Sequence, residues 1–471
     1  MTADLPRTDA GKRTVTAGTD GTTAALTVTA LLLLFTFAAP SLLDIFVHIR
    51  PLTVYFLISV ASVAIHLAAF NERNWIRIDT IFLLGYMIVY YQWIAMMEVS
   101  GITPADFFNS TANSQYIVFG AWLSTVGLLS WLVGYNFFRP AQRQSLQTVQ
   151  GVGTVQLAFL ALLALFVAVV GPDYLTGEIY RNVRQGGFVT LSGYASYIYT
   201  ALPLLILLIV ATQMYPRVNS GDVGPWELRI SVALVALFCL IFAASGERGA
   251  VVQVLGGGAI LYCSARRPVG PLGFLALAFI GALAFSLIGI FRAGLSVPWE
   301  DLYGEGLYSA TLNLANSARA LFLGLEIVDR QGGLFWGQLW LANILSVLPF
   351  AQSTFIDLTG LSQWDIDSAY LIAFYRYGPN PHTGDGSTLI GDVYMNFGTV
   401  GVVIFPFLFG CICRQMQRFA SGSDGFMPFV VAGVFASLIF YISRGTFLFQ
   451  LRPIVWSIVL AYVLLRVRAT K

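Results

Sequence analysis

Arg248 sits in the turn Ser245-Gly-Glu-Arg-Gly249, between two long apolar runs at 227–244 and 250–264. A Glu–Arg pair there lies where a hydrophobic chain leaves or enters a bilayer. Charged side chains near lipid cost roughly 2.5–3.5 kcal/mol each at a helix centre on insertion scales, so by default they mark a functional site. More arginines fall at comparable turns: Arg181 and Arg184 in Gly177-Glu-Ile-Tyr-Arg-Asn-Val-Arg184, Arg292 just past a span, then Arg376, Arg444 and Arg452. A guanidinium is always charged and planar, and it grips phosphate oxygens with two parallel N–H groups. A cluster of them at a membrane surface suits a diphosphate carried by a lipid. The alternative is a set of separate salt bridges: Arg248 with Glu247, Arg181 with Glu178, Arg292 with Glu300 or Asp301.

A second constellation is Tyr377-Gly-Pro-Asn-Pro-His-Thr-Gly-Asp-Gly-Ser387, which runs into Leu389-Ile-Gly-Asp-Val-Tyr-Met-Asn-Phe-Gly398. His382 is one of three histidines, and Asp385 follows three residues later. An imidazole that titrates near neutral pH is a natural acid, base or hydrogen-bond donor. Its plainer role is to cap backbone groups in a loop. Glu247 is the next carboxylate candidate for a base. His66 lies inside a span with no acidic neighbour in sequence and reads as packed or pore-facing. His48, near Asp44 and Arg50, stays ambiguous. Trp299, Trp336, Trp340 and Trp364 form either an interfacial belt or a surface on which pyranose faces stack. The chain has no P-loop, no dinucleotide fingerprint, no paired-cysteine zinc site and no Asp-x-Asp repeat for a nucleotide-sugar metal. A cytoplasmic nucleotide-dependent transferase is therefore not expected.

These residues are carried by an extremely apolar chain. Of 471 residues, 57% are hydrophobic and 11% charged, against about 25% charged in a soluble protein. Mean hydropathy is +0.74. The apolar runs are continuous rather than alternating, which argues against an outer-membrane barrel. The fold class expected is all-α, a polytopic membrane protein, because lipid forces each span to pair its own backbone groups. Residues 1–23 read as a disordered cytoplasmic tail, and the first apolar stretch as a retained span rather than a cleaved signal. Residues 24–471 read as one transmembrane domain. Cys239, Cys263, Cys411 and Cys413 all fall inside apolar runs, as neither a disulfide framework nor a metal site. The net charge of +2 is spread thinly, and no nucleic-acid partner is expected.

With about 20 residues per span, helices are expected near 24–43, 51–70, 79–98, 115–136, 152–170, 194–214, 227–244, 250–264, 271–291, 387–411, 426–443 and 447–466. That is about twelve. The run at 250–264 carries Gly256-Gly-Gly258, which suggests tilt or close packing. Short loops rich in Lys and Arg stay cytoplasmic. Arg73 and Arg77, Arg139 and Arg143, Arg217 and Arg229, Arg266 and Arg267, Arg414 and Arg418, and Arg466, Arg468 and Lys471 all fall on one side if the N-terminus is inside. Both termini are then cytoplasmic, and 292–386 is a large external loop. Its apolar segments at 306–327 and 334–351 read as amphipathic or re-entrant helices, or as an added pair of spans. No internal repeat is visible, which weighs against repeat-built transporters.

Four pieces of this pattern resemble the oligosaccharide repeat-unit polymerases of the Wzy class, which build O-antigen and capsule. They are the Ser245–Gly249 turn; Phe335-Trp-Gly-Gln-Leu-Trp340 leading to Ile344–Pro349; the run Ser387–Gly401; and the late external loop. Related O-antigen ligases share the architecture and carry a histidine in that loop, which Pro381-His382-Thr383 resembles. Gly384-Asp-Gly386 departs from the fuller polar run of the ligases.

The resemblance implies a GT-C-like membrane fold and a glycosyltransferase that needs no metal and no cofactor. It would polymerise undecaprenyl-diphosphate-linked repeat units, and so make surface polysaccharide or exopolysaccharide. The reaction would run at the outer face of the bacterial cytoplasmic membrane. Donor and acceptor would both be lipid-linked oligosaccharides, with membrane lipid, a chain-length regulator and a flippase as further partners. His382, Asp385 and Glu247 are then the catalytic candidates, and Arg181, Arg184, Arg248, Arg292 and Arg444 the diphosphate ligands. The alternatives are the ligase and a polysaccharide or lipid transporter.

Overall fold

The computed structural model describes residues 18–43, 50–70, 73–108, 114–140, 147–171, 174, 193–215, 225–293, 311–312, 314–379, 381 and 384–469. Helices come first as α1 (Gly18–Leu43), α2 (Pro51–Phe70), α3 (Ile78–Ser100), the short α4 (Pro104–Phe108) and α5 (Ser114–Phe137). Next are α6 (Val152–Val170), α7 (Gly193–Met214), α8 (Pro225–Ala244), α9 (Arg248–Ala265) and α10 (Pro271–Ala293). Five short helices follow: α11 (Ala318–Gln331), α12 (Leu341–Leu345), α13 (Ala351–Thr359), α14 (Gln363–Ile366) and α15 (Ser368–Tyr377). The chain finishes with α16 (Leu389–Phe419), α17 (Phe426–Leu438) and α18 (Leu451–Leu464).

Among the described residues, seven helices are long and apolar enough to cross a membrane, namely α2, α3, α5, α6, α7, α8 and α16. Five shorter apolar helices lie within α1, α9, α10, α17 and α18. These fall one for one on the twelve apolar segments of the sequence. Leu240 and Leu272 are 70% and 81% exposed, which water would penalise and lipid tails do not. The all-α polytopic membrane fold expected from the sequence is the fold observed. The only strands among the described residues, β1 (Gln147–Gln150) and β2 (Arg466–Ala469), pair antiparallel with Gln147 opposite Ala469.

Two apolar cores organise the helices. One gathers buried side chains of α2, α3, α5, α11 and α16, among them Phe82, Tyr86, Trp93, Trp131 and Ile390. The other gathers α6, α7, α8, α9 and α17, around Phe159, Leu205, Phe238 and Phe429. The first core is held by a close crossing of α5 on α16. A Cβ on Gly134 would lie 2.0 Å from the Phe407 carbonyl oxygen, and one on Gly410 would lie 2.2 Å from that of Trp131. In lipid, small residues let backbones approach and gain packing that apolar bulk alone does not supply. Gly257 plays the same part between α9 and α17, where a Cβ would meet the Gly433 carbonyl at 2.8 Å. Gly410→Val should therefore lower the melting temperature of the detergent-purified protein by several degrees. Overpacking costs about 1–3 kcal/mol, and here the obstacle is backbone. An unchanged melting curve would mean the crossing is looser than described.

The loops sort onto two faces. On one, Trp75 N donates to the Val269 carbonyl at 2.7 Å, Ile78 N to Gln417 Oε1 at 2.8 Å and Phe426 N to Gln147 Oε1 at 2.8 Å. The β1–β2 pair lies there too, so the C-terminal strand shares a face with the basic loops. On the other, Phe350 N donates to Tyr197 Oη at 2.8 Å and Thr446 Oγ1 to Asn343 Oδ1 at 3.2 Å.

Helix α11 is 14 residues long, or about 21 Å at 1.5 Å per residue, too short for a core of about 30 Å. The apolar segment 334–351 is not one helix. Trp336 and Phe350 have φ of 51° and 65°, where a helix cannot continue. Helix α16 is itself broken at Gly398, with φ 65° and ψ −160°. Carbonyls beside the break find partners from 334–340 instead. Phe335 N donates to the Met395 carbonyl at 3.0 Å and Trp336 N to that of Asn396 at 2.9 Å.

Candidate active site at the start of helix α16

The loop that leads into α16 is tied down at both ends. Asp367 caps α15, its Oδ1 accepting from Ala369 N at 2.8 Å and Tyr370 N at 3.1 Å. Burial pushes the Asp367 carboxyl up, and those two N–H groups oppose the shift. Thr388 caps α16 through Gly391 N at 3.1 Å. Between the caps, Gly386 takes a left-handed φ of 73°, which side chains disfavour. A Cβ on Gly386 would stand 3.9 Å from the Arg444 carbonyl, so this loop lies against the turn Ser443–Gly445.

Asp385 is the hub of that loop. Its Oδ2 accepts from Arg376 Nη1 at 2.9 Å, and its Oδ1 from Arg319 Nη2 and from Tyr377 Oη, the latter at 3.3 Å. Arg319 also donates Nη1 to the Phe108 carbonyl at 3.2 Å. The carboxylate thus fixes two guanidinium groups side by side. Burial and the neighbouring Asp385 charge push the Tyr377 phenol up, so it remains a donor. Arg444 stands beside the same loop. It is exposed, yet desolvation pulls its guanidinium below the ordinary value. Two arginines against one carboxylate leave this cluster cationic, and an anion is its natural occupant.

Beneath the loop is a second carboxylate. Asp392 is fully buried, and every donor around it is aimed at it. Trp340 Nε1 reaches Oδ2 at 2.7 Å, Phe447 N reaches Oδ2 at 2.8 Å, and Ser368 Oγ reaches Oδ1 at 2.6 Å. One turn on, Asn396 Oδ1 accepts from Gly337 N at 3.0 Å and Leu339 N at 3.3 Å. The segment 335–340, the start of α16 and the turn before α18 are thereby locked into one platform.

Of the residues singled out in the sequence, Asp385 and Arg376 meet, and the Arg444 backbone lies against Gly386 of the same loop. Glu247 is placed near the start of α7, accepting from Tyr199 Oη at 3.3 Å. Arg452 is occupied otherwise, donating to Thr200 Oγ1 at 2.9 Å and lying over the Tyr197 and Trp456 rings. Arg181, Arg184 and His382 lie outside the described residues. Arg248 opens α9 and Arg292 falls one residue before the end of α10, but their side chains lie outside the described set.

Sequence reasoning missed Arg319 and Asp392. Arg319, Glu326 and Arg330 are spaced seven and four apart, which puts them on one helix face. That spacing was the available signal. Trp340 was read as belt or sugar platform, but it is buried on Asp392 and stacked on Phe447 at 5.3 Å. Among the described residues, no three His, Cys, Asp or Glu side chains gather as metal ligands.

The family described as O-antigen polysaccharide polymerase Wzy matches residues 25–469. No curated protein and no solved structure gives a match. The four motifs that carried the resemblance lie within the matched span, and two of them, 335–340 and 387–401, pack on each other. Twelve apolar helices, a late loop folded onto the start of α16 and a match over almost the whole chain lead to one assignment: the protein belongs to the O-antigen polysaccharide polymerase family Wzy, multi-pass membrane proteins of polysaccharide polymerisation.

Proposed function

We propose that the chain joins oligosaccharide repeat units carried on undecaprenyl diphosphate, at the outer face of the bacterial cytoplasmic membrane, with both termini on the cytoplasmic side. The observation that carries this reading is the Arg319–Asp385–Arg376 cluster beside Arg444, on the face away from the basic loops. In such a transfer an acceptor hydroxyl attacks the anomeric carbon of the donor glycan. The bond from that carbon to the diphosphate oxygen breaks, and the hydroxyl proton passes to a base. Charge accumulates on the departing diphosphate. Fixed guanidinium groups stabilise it without reorganising at the moment of reaction, and in this reading they stand where other transferases use a metal.

Arg319, Arg376 and Arg444 are the proposed diphosphate ligands, with Arg181, Arg184, Arg248 and Arg292 completing the rim. Asp385 accepts three donors already, so its proposed part is to position the arginines. His382, three residues earlier, is the proposed base. Glu247 is the second candidate, at the Tyr199 end of the region. A flippase that supplies the repeat units and a regulator of chain length are the proposed partners.

Deleting the gene and displaying the surface glycan on a gel tests the reaction. Glycan capped at a single repeat unit is expected. Lipid-linked polymer that accumulates unattached would indicate a ligase, and loss of all exported glycan a flippase. Either result would refute the polymerase.

A further inference from the structure

A cavity of about 460 Å³ opens between the start of α5, the end of α11 and α16. That volume lies within the usual range for small-molecule sites, roughly 300–1,000 Å³. Its walls carry three aromatic rings, Tyr116, Phe119 and Tyr394, and Phe119 meets Tyr394 edge-on at 5.8 Å. Its polar groups are Gln115 and Asp329. Tyr116 Oη donates to Asp329 Oδ2 at 2.6 Å. A carboxylate has about four acceptor positions, so one bond leaves others for a ligand. Gly332 and Gly333 also line the cavity, and a Cβ built on either meets nothing.

Aromatic faces with a carboxylate and an amide are what a pyranose needs. Its C–H face is apolar and gains by leaving water, while its hydroxyls donate to the carboxylate and pair with the amide. No Lys or Arg lines the cavity. With a carboxylate and no cation among its lining groups, the cavity disfavours phosphate and uronate alike. This cavity is therefore chemically opposite to the arginine patch, and the two are joined by a single rigid element. Arg319 and Asp329 lie ten residues apart on α11, or about 15 Å along the helix at 1.5 Å per residue.

We propose that this cavity is a glycan subsite, which holds an uncharged sugar ring of the saccharide at a distance from its diphosphate end. The inference rests on the polymerase reading and adds where the chain grips the sugar. Helix α11 then acts as a fixed spacer between a phosphate end and a sugar end.

The test uses the full chain in lipid nanodiscs and a one-repeat oligosaccharide, free of lipid and phosphate, cut from the host's surface polysaccharide. Titration calorimetry should show binding to the native protein. Gly333→Phe, which fills the cavity from an exposed loop, and Asp329→Ala should each weaken binding at least tenfold with an unchanged melting temperature. In polymerisation assays the same variants should raise KM for the lipid-linked substrate with kcat held. Oxidising the primary hydroxyls of the oligosaccharide to carboxylates should likewise weaken binding tenfold or more. No binding to the native protein, equal affinity in Gly333→Phe, or equal affinity for the oxidised sugar would overturn the subsite. Normal polymer in the deletion strain would instead overturn the polymerase reading, so the two failures are separable.

Discussion

Arg319→Ala is expected to remove polymer longer than one repeat unit, with the protein still present in the membrane. Losing one preorganised donor to a developing anion costs on the order of 10²–10³ in rate. Arg319→Lys should recover little. An ammonium keeps the charge, but it cannot reach the Phe108 carbonyl and Asp385 together as the guanidinium fork does. The fold should survive either change. Asp385 keeps Arg376 and Tyr377, so the roughly 3–5 kcal/mol cost of orphaning a buried charge does not arise. Asp385→Asn should also be strongly impaired, because both guanidinium groups lose the anion that aims them. Glycan gels of a complemented deletion strain, with membrane immunoblots as the control, read these outcomes. Full-length polymer from Arg319→Ala at native protein level would remove Arg319 from the site.

Asp392→Ala is expected to fail differently, by destabilising the protein. It would strand Trp340 Nε1 and Phe447 N, while Ser368 Oγ would keep Ser387 Oγ at 3.0 Å. Each stranded buried donor costs about 1–3 kcal/mol, and two of them should lower the melting temperature by many degrees and lose polymer with it. Ser368→Ala leaves Asp392 with its Trp340 and Phe447 donors and takes one partner from Ser387 Oγ, and should cost about 1 kcal/mol. A melting temperature unchanged in Asp392→Ala would mean that the platform beneath the loop is held by something else.

The spans were legible in the sequence because lipid leaves a segment no alternative to an apolar helix about 20 residues long. Helix ends were less so. The sequence suggested a span over 426–443, but the helix stops at Leu438 and tightens into short turns through Arg444. The segment 334–351 is apolar without a helical period, and nothing local announces the positive φ at Trp336 and Phe350.

The site was half legible for a related reason. Arg376 closes α15 and Asp385 follows nine residues later in the loop beyond it, so both stand out in one short stretch of sequence, although their pairing does not. Arg319 is sixty-six residues from Asp385, and only tertiary packing brings them together. Trp340 and Asp392 lie in two motifs far apart in sequence, and their hydrogen bond joins the two. His66 likewise has no acidic neighbour in sequence, yet Asp79 on the next helix stands 3.1 Å away, itself held by Arg77. That buried trio lies at the basic-loop end of α2 and α3, and it ties those helices together.

The most direct test of the central claim is a reconstituted reaction. The native protein in nanodiscs is given the lipid-linked repeat unit purified from the deletion strain, in excess EDTA, and the products are run on a gel. A ladder of polymer is expected, with one undecaprenyl diphosphate released for each bond formed. No ladder is expected from the Arg319→Ala, Arg376→Ala double variant. No ladder from the native protein in EDTA, or an equal ladder from the double variant, would contradict the account that guanidinium groups at this site carry the departing diphosphate.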